Sequence, residues 1–247
     1  MTEYEGFVRY YDCFCDEGQT KREVDFLNWT FTEIAKRRIE DVLEVGCGTG
    51  RLTIPLSHTF RMTACDISSD MLEAAKGKGS EADIQFLKKD MQDIDFREHF
   101  DAIIAFQCFY YVLSDEDIMR TLRNFHEALR PGGVCVIEHM NFISLFGRFV
   151  ETYNESYEKD GYKVLRTCRH TIENVPGIWI HDEFAIIDDN GRIETIHEVH
   201  RLRISTCNEM RRFLKEAGFS VVRILSGAQD REEADKNANR PIFVAIK

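Results

Sequence analysis

Proline is scarce in this chain, four among 247 residues, which excludes proline-rich spacers and extended low-complexity tails. Positive charge is also in short supply: 32 lysines and arginines stand against 43 aspartates and glutamates, a net charge of −11. A surface of that sign repels phosphate backbones, whereas nucleic-acid binding usually needs a dense basic stripe. No apolar run approaches the roughly 20 residues that cross a bilayer, and the opening MTEYEGFVRYYD lacks the basic-then-apolar order of a secretory leader. The expected setting is therefore cytoplasmic, with a small-molecule substrate as partner, no nucleic acid and no membrane.

Paired cysteines are missing too. The eight cysteines, at 13, 15, 47, 65, 108, 135, 168 and 207, are scattered, and several fall in apolar strand-like runs, the pattern of reduced buried thiols rather than a disulfide framework. No metal is expected: Cys13 and Cys15 have no second pair at zinc-site spacing, and His197 and His200, three apart on a strand, point to opposite faces.

What the chain does have is alternation. Val24, Leu27, Phe31, Ile34 and Ala35 share one face of a helix over Gln19–Arg38. Short apolar strands then alternate with helices: strands at 41–45, 62–67, 84–88, 100–106 and 134–138, helices at 51–59 and 70–76, and a helix opened by Ser114-Asp115-Glu116-Asp117 that runs out at Arg130-Pro131-Gly132-Gly133. Strands apolar on both faces belong to a parallel sheet covered by helices on each side. Beyond strand five, Phe142, Leu145, Phe146, Phe149, Val150 and Tyr153 recur at helical spacing. Extended runs follow at 162–173, 178–187 and 192–204, with Asp188-Asp189-Asn190-Gly191 as a hairpin turn, and a capping box at Thr206-Cys207-Asn208-Glu209 starts a helix that ends at Gly218. Strands at 221–225 and 242–246 close one edge. The fold class is thus α/β: a Rossmann-like, seven-stranded, doubly wound sheet, mostly parallel with an antiparallel last strand, plus an antiparallel β insertion after strand five. We read 1–247 as a single domain with an N-terminal helical cover (1–40), a cofactor-binding core (41–140), a helix and antiparallel insertion acting as lid or homodimer interface (141–205), and a final helix and two strands (206–247).

Three features sit at the carboxyl ends of the first three strands, where open α/β sheets bind ligands. The first, Gly46-Cys47-Gly48-Thr49-Gly50 in DVLEVGCGTGRL, is G-x-G-x-G, one residue tighter than the G-x-G-x-x-G that curls around a pyrophosphate. Its amides and helix end favour a polar or anionic group without that bulk. The second is Asp66, 20 residues after Gly46, whose carboxylate can accept both hydroxyl protons of a ribose. The third is Asp90-Met91, where a carboxylate can accept from an exocyclic amine and an adjacent amide can donate to a ring nitrogen.

In order and spacing, DVLEVGCGTGRL, MTACDISSDMLEAAK, IQFLKKDMQDIDF, FDAIIAFQCFYYV and LRPGGVCVIEH resemble the class I S-adenosylmethionine-dependent methyltransferases over roughly residues 41–139. The resemblance implies a cofactor, S-adenosyl-L-methionine, leaving as S-adenosylhomocysteine. It implies that Glu44, Gly46, Cys47, Gly48 and Gly50 line the methionine end, with the glycines bare because the cofactor lies directly against them. It assigns Asp66 to the ribose, Ile67, Met71 and Met91 to the adenine faces, Asp90 to the adenine amine, and Phe106 and Gln107 to the border between cofactor and substrate. Such enzymes place a tyrosine over the reactive end, here Tyr11 first, with Tyr10 beside it; Tyr110 and Tyr111 wall the acceptor.

A sulfonium methyl is already activated, so alignment and exclusion of water dominate; an amine needs no base, whereas an alcohol benefits from one. His58, His99 and His126 lie away from the strand ends, leaving His139, at the end of strand five, as the candidate base and substrate contact. AFQCFYY after strand four is not the Asn/Asp-Pro-Pro-aromatic run of base-amine methyltransferases, and no Pro-Cys pair exists to attack cytosine. The expected function is methyl transfer to nitrogen or oxygen of a small polar metabolite; a non-catalytic sensor or partner module that keeps the cofactor pocket is the alternative. Replacing Asp66 with Ala is expected to weaken S-adenosylhomocysteine binding, measured by calorimetry, by about 1–3 kcal/mol, the scale of hydrogen bonds to a charged group.

Overall fold

The structure, a computed structural model, describes residues 7–147, 149–159, 161–174, 177–235 and 237–247. Residues 1–6 of the expected N-terminal cover, and the side chains of Phe142 and Phe146 on the expected helical stripe, lie outside the described residues.

Five strands, β1 (Asp41–Val45), β2 (Arg61–Asp66), β3 (Ile84–Lys88), β4 (Phe100–Ala105) and β5 (Leu129–Glu138), alternate with helices α2 (Thr53–Ser57), α3 (Ser69–Lys78) and α4 (Asp115–Ala128), after an opening helix α1 (Glu17–Glu33). A short helix α5 (Phe142–Gly147) leads into β6 (Thr152–Lys159), β7 (Tyr162–Asn174), β8 (Ile178–Asp189) and β9 (Arg192–Arg203); α6 (Cys207–Glu216), β10 (Ser220–Leu225) and β11 (Ile242–Ile246) follow. The large sheet has the order β10-β11-β5-β4-β1-β2-β3, parallel except for β11, which pairs antiparallel with both β5 and β10. Its apolar strands separate two cores, one packed around α4 and α6 and the other around α1 and α2. Strand order reverses beside β1: β2 and β3 extend the sheet on one side, β4 and β5 on the other. That reversal leaves a crevice at the carboxyl ends of β1 and β4.

Local chemistry explains the helix starts. Ser68, Ser114 and Thr206 each accept a backbone N–H in the first turn of α3, α4 and α6, and Glu209 completes the capping box with the Thr206 amide. Two boundaries depart from the sequence reading. The 130–133 segment does not end α4; it belongs to β5, whose pairing with β4 jumps from Phe100–Leu129 to Ala102–Val134. Tyr153 lies not on a helical stripe but in β6, the first strand of a four-stranded antiparallel sheet ordered β6-β7-β8-β9. With only two apolar residues in TYNESYEK, the edge strand β6 carries a weak hydrophobic signal, although its burial alternates residue by residue. Among the described residues no helix is long and apolar enough to cross a membrane.

One buried carboxylate ties the amino-terminal ends of these elements together. Asp101 on β4, 2% exposed, accepts the Glu40 and Asp41 amides at 3.0 Å and pairs with Arg37 at 2.7 Å and Arg130 at 2.9 Å. Burial works against its charge, but the amides and guanidiniums outweigh it and hold its pKa below the ordinary aspartate value. Asp101→Ala, which leaves the Glu40 and Asp41 amides without their acceptor and removes one partner each from Arg37 and Arg130, is expected to destabilise the fold by about 1–3 kcal/mol, read as a lower urea midpoint.

Candidate functional site

Three cavities meet at the carboxyl ends of the parallel strands. One of about 290 Å³ is lined by Gly46, Gly48, Asp66, Ile67, Met71, Asp90 and Met91. A smaller one of about 40 Å³ lies under the glycine loop against Glu44, Cys47, Arg51 and Phe106. The largest, about 540 Å³, opens below the insertion sheet and includes Tyr110, Tyr153, Arg166, His170, Trp179, His181, Glu183, His200 and Arg240 in its wall. Tyr11 and Gln107 line all three, and Tyr111 lines the first and the last.

The glycine loop is shaped largely by the protein itself. Gly46 and Gly50 have φ of +63° and +82°, a region costly for residues with a Cβ. A Cβ on Gly46 would sit 2.5 Å from that of Cys108, and one on Gly50 would meet Ile54 at 3.1 Å, so these two are bare for internal packing. Gly48 differs: its φ is +54° and nothing lies within 4 Å of a Cβ built there, on the side that opens to the cavities. The expectation that a ligand accounts for all three glycines thus narrows to Gly48, and Gly50 lines none of the cavities.

Asp66 braces that loop. Its Oδ2 accepts the Gly48 amide at 2.8 Å and its Oδ1 accepts the Ser68 amide at 2.9 Å. Burial raises its pKa, and the same amides oppose the rise. Asp66 also lines the 290 Å³ cavity, and a carboxylate has acceptor capacity beyond two amides, which suits the hydroxyls of a diol. Asp90 uses Oδ1 to cap the turn at Met91–Asp93 through the Gln92 amide, 2.9 Å away. Glu44, 4% exposed, accepts the Thr53 hydroxyl, and burial lifts its pKa to about 7. The donor set therefore fits an adenosyl group joined to a charged amino-acid tail: a diol acceptor, a carboxylate at the amine edge, exposed Ile67 beside the cavity, and Glu44 and Arg51 as opposite charges around the smallest chamber.

Tyr11 roofs the junction because its short helical turn, Tyr11–Phe14, is latched on two sides: Asp12 accepts the Thr49 hydroxyl at 2.8 Å and pairs with Lys78 at 2.7 Å. Two expected site residues lie elsewhere. Tyr10, 1% exposed, packs on Tyr162 and donates to Glu194 at 2.8 Å, so it pins the N-terminal segment to the insertion rather than facing an acceptor. His139 is 1% exposed and lines none of the three cavities; among the described residues neither ring nitrogen has a hydrogen-bond partner. Burial and the nearby Arg203 push its pKa down to about 3.

The 540 Å³ cavity also holds a polar row that the sequence reading missed. His170 and His181 face each other across β7 and β8, their Nε2 and Nδ1 2.8 Å apart; His181 Nε2 is 3.0 Å from Glu183, which also accepts from Arg166 at 2.8 Å. Burial alone would lower His181, but hydrogen bonds to Cys168 and Glu183 lift its pKa to about 9. The signal was present as period-two spacing, Arg166-x-Cys168-x-His170 and His181-x-Glu183, polar side chains sharing the inward face of paired strands. Cys168, His181 and Glu183 bring donor atoms within 4.8 Å of one another, yet the guanidinium of Arg166 already supplies positive charge there and opposes a metal cation.

Residues 42–133 match the Methyltransferase domain family. A protein of Geobacillus sp. (strain WCH70), whose name gives methyltransferase as a provisional activity, is 26% identical over 255 residues, spanning 99% of both chains. The dTDP-3-amino-3,4,6-trideoxy-alpha-D-glucopyranose N,N-dimethyltransferase of Streptomyces venezuelae is 25% identical over 198 residues, 77% of this chain and 79% of that one. The crystal structure of an S-adenosylmethionine-dependent methyltransferase from Clostridium acetobutylicum ATCC 824 superposes with a TM-score of 0.84 at 19% identity, covering 99% of each chain.

Glu44 gives the site a pH signature. A carboxyl that titrates near 7 is protonated below that pH and anionic above it, and only the anion attracts an α-ammonium group. S-adenosylhomocysteine affinity is expected to rise about tenfold from pH 6 to pH 8 as this carboxyl ionises, and Glu44→Gln should flatten that slope in calorimetry.

Proposed function

We propose that this chain is a class I S-adenosylmethionine-dependent methyltransferase, as its methyltransferase-domain match and methyltransferase relatives support, and that it methylates a nitrogen or oxygen of a small polar metabolite, with an amine as the preferred acceptor. The observation that carries this reading is the meeting of the cavities at Tyr11, Gln107 and Tyr111. Two chambers match the parts of the cofactor, and the third, of about 540 Å³, has the size of a metabolite site. When bound, S-adenosylmethionine supplies a methyl group already activated by its positively charged sulfur. The protein's task is then to align the acceptor and keep water out.

In this reading Asp66 accepts the ribose hydroxyls, Asp90 the adenine amine, and Ile67, Met71 and Met91 cover the ring. Glu44 and Arg51 hold the ammonium and carboxylate of the amino-acid tail. The ring faces of Tyr11 and Tyr111 shield the transfer point and favour positive charge there. Tyr110, Tyr153 and Trp179 offer apolar walls to the acceptor, the last two packed on His170 of the His170–His181–Glu183 row.

The preference for an amine has a physical basis. His200, whose Nδ1 stands 3.5 Å from the Tyr111 hydroxyl, is the histidine beside the junction. Burial and the charge of His181 lower its pKa to about 4. So weak a base activates an alcohol poorly, whereas a neutral amine attacks unaided and sheds its proton afterwards. His139, sealed from the cavities, lies out of an acceptor's reach. The sugar N,N-dimethyltransferase among the relatives supports the same preference. The outer face of the insertion sheet, where Leu165, Phe184, Ile186, Ile193 and Val199 are exposed, supports the expected homodimer through residues 141–205, and the eight free thiols suit the expected cytoplasmic setting.

Incubation with methyl-labelled S-adenosylmethionine and a panel of amino sugars, amino acids, alcohols and carboxylic acids is expected to label amines first. Label confined to alcohols would overturn the amine preference, and no label despite tight S-adenosylhomocysteine binding would favour a sensor.

A further inference from the structure

Gln107 stands where the three cavities cross, and its backbone is in an unfavourable conformation. Its φ is +57°, the left-handed region that a side chain with a Cβ occupies only when its surroundings compel it. The surroundings here are specific. The Gln107 amide donates to Glu138 Oε2 at 3.1 Å, and Arg240 Nη2 donates to the same oxygen at 2.9 Å. Glu138, the last residue of β5, is 6% exposed; Arg240 immediately precedes the Pro241–Ile242 entry to β11, whose Ile242 pairs with Glu138. The next residue after Gln107 is also tied, Cys108 Sγ lying 3.1 Å from the Val45 carbonyl oxygen, and the turn Phe109–Tyr111 follows directly.

We propose that Glu138 and Arg240 are a positioning pair which locks Gln107 in its left-handed conformation and so fixes the crossing where the methyl acceptor meets the cofactor, an inference that rests on reading this crossing as the transfer point. A buried carboxylate is a poor general-purpose anchor, since burial disfavours its charge and raises its pKa. Arg240 compensates that charge, and the carboxylate in turn engages one backbone N–H, that of the residue shared by every chamber. The pair acts at a distance from the reacting atoms: it sets where Gln107 points and where Tyr110 and Tyr111 begin. Arg240 also forms part of the acceptor wall, so the same guanidinium that stabilises the loop borders the substrate.

The test combines hydrogen exchange at the Gln107 amide, followed by NMR, with S-adenosylhomocysteine affinity from calorimetry. Arg240→Met and Glu138→Ala are expected to speed exchange at Gln107 about tenfold and to weaken affinity by about threefold to tenfold, the scale of one lost hydrogen bond. Exchange in β1 to β3 should be unchanged. Arg240→Lys, which keeps the charge, should stay near wild type. Adding Gln107→Gly to Glu138→Ala should restore affinity, because glycine holds a positive φ without help. A folded Arg240→Met or Glu138→Ala protein with normal Gln107 protection, or a loss of affinity that glycine fails to restore, overturns the proposal. Should those variants not fold, Gln107→Gly and Gln107→Ala keep the pair intact: strain at this position requires the glycine variant to unfold at the higher urea concentration, and a midpoint no higher than that of the alanine variant overturns it. Wild-type protein that shows the predicted Gln107 protection yet does not bind S-adenosylhomocysteine would leave the pair standing and remove the reading of the cavity.

Discussion

The carboxylate of Asp66 is the constraint on which the site's shape depends. It stands at the end of β2 and holds two amides, one in the glycine loop after β1 and one at the start of α3. Hydrogen bonds to backbone N–H groups from a charged acceptor are strong, and here they are largely shielded from water. They fix the distance between two loops that would otherwise diverge from the sheet. The crevice at the strand-order reversal is therefore already a cavity with defined walls, Asp66 and Gly48 among them.

The parallel half of the molecule was legible because its chemistry is local. A buried parallel strand must be apolar on both faces, so DVLEV, FDAIIA and VCVIE announce themselves. The loops at their carboxyl ends carry Gly48, Asp66, Asp90 and Gln107 at positions that follow from the strands alone, and all four line the cavities. The acceptor half was harder to read. Its wall comes from β6 to β9, where a side chain's direction depends on register, and the pairing of His170 with His181 or Cys168 with Glu183 is set by a hairpin rather than by any motif. Tyr10 and His139 show the converse error. Proximity in sequence to Tyr11 or to the end of β5 says little about which way a side chain turns, and both turned into the core.

The two halves also differ in how they handle charge. Along the parallel-strand cavities, half-buried Asp66 and buried Glu44 are met by backbone or hydroxyl donors rather than by a fixed countercharge. In the acceptor wall, Arg166, Glu183, His181 and His170 satisfy one another in a chain. Such a closed network gives little hydrogen-bonding capacity to a guest but makes a rigid polar surface. That wall combines fixed charge with the aromatic rings of Tyr153 and Trp179, which pack on His170.

The glycine loop carries a lesson about fingerprints. Two of its three glycines are bare because Cys108, Ile54 and Ala75 crowd the space that a methyl group would occupy. A descendant of this chain that had abandoned its ligand would keep Gly46 and Gly50 for as long as it kept its fold, while Gly48, held only by its φ of +54° and not by crowding, would be open to residues such as asparagine that tolerate the left-handed region. The middle position of the triplet is thus the one whose loss would betray a retired enzyme.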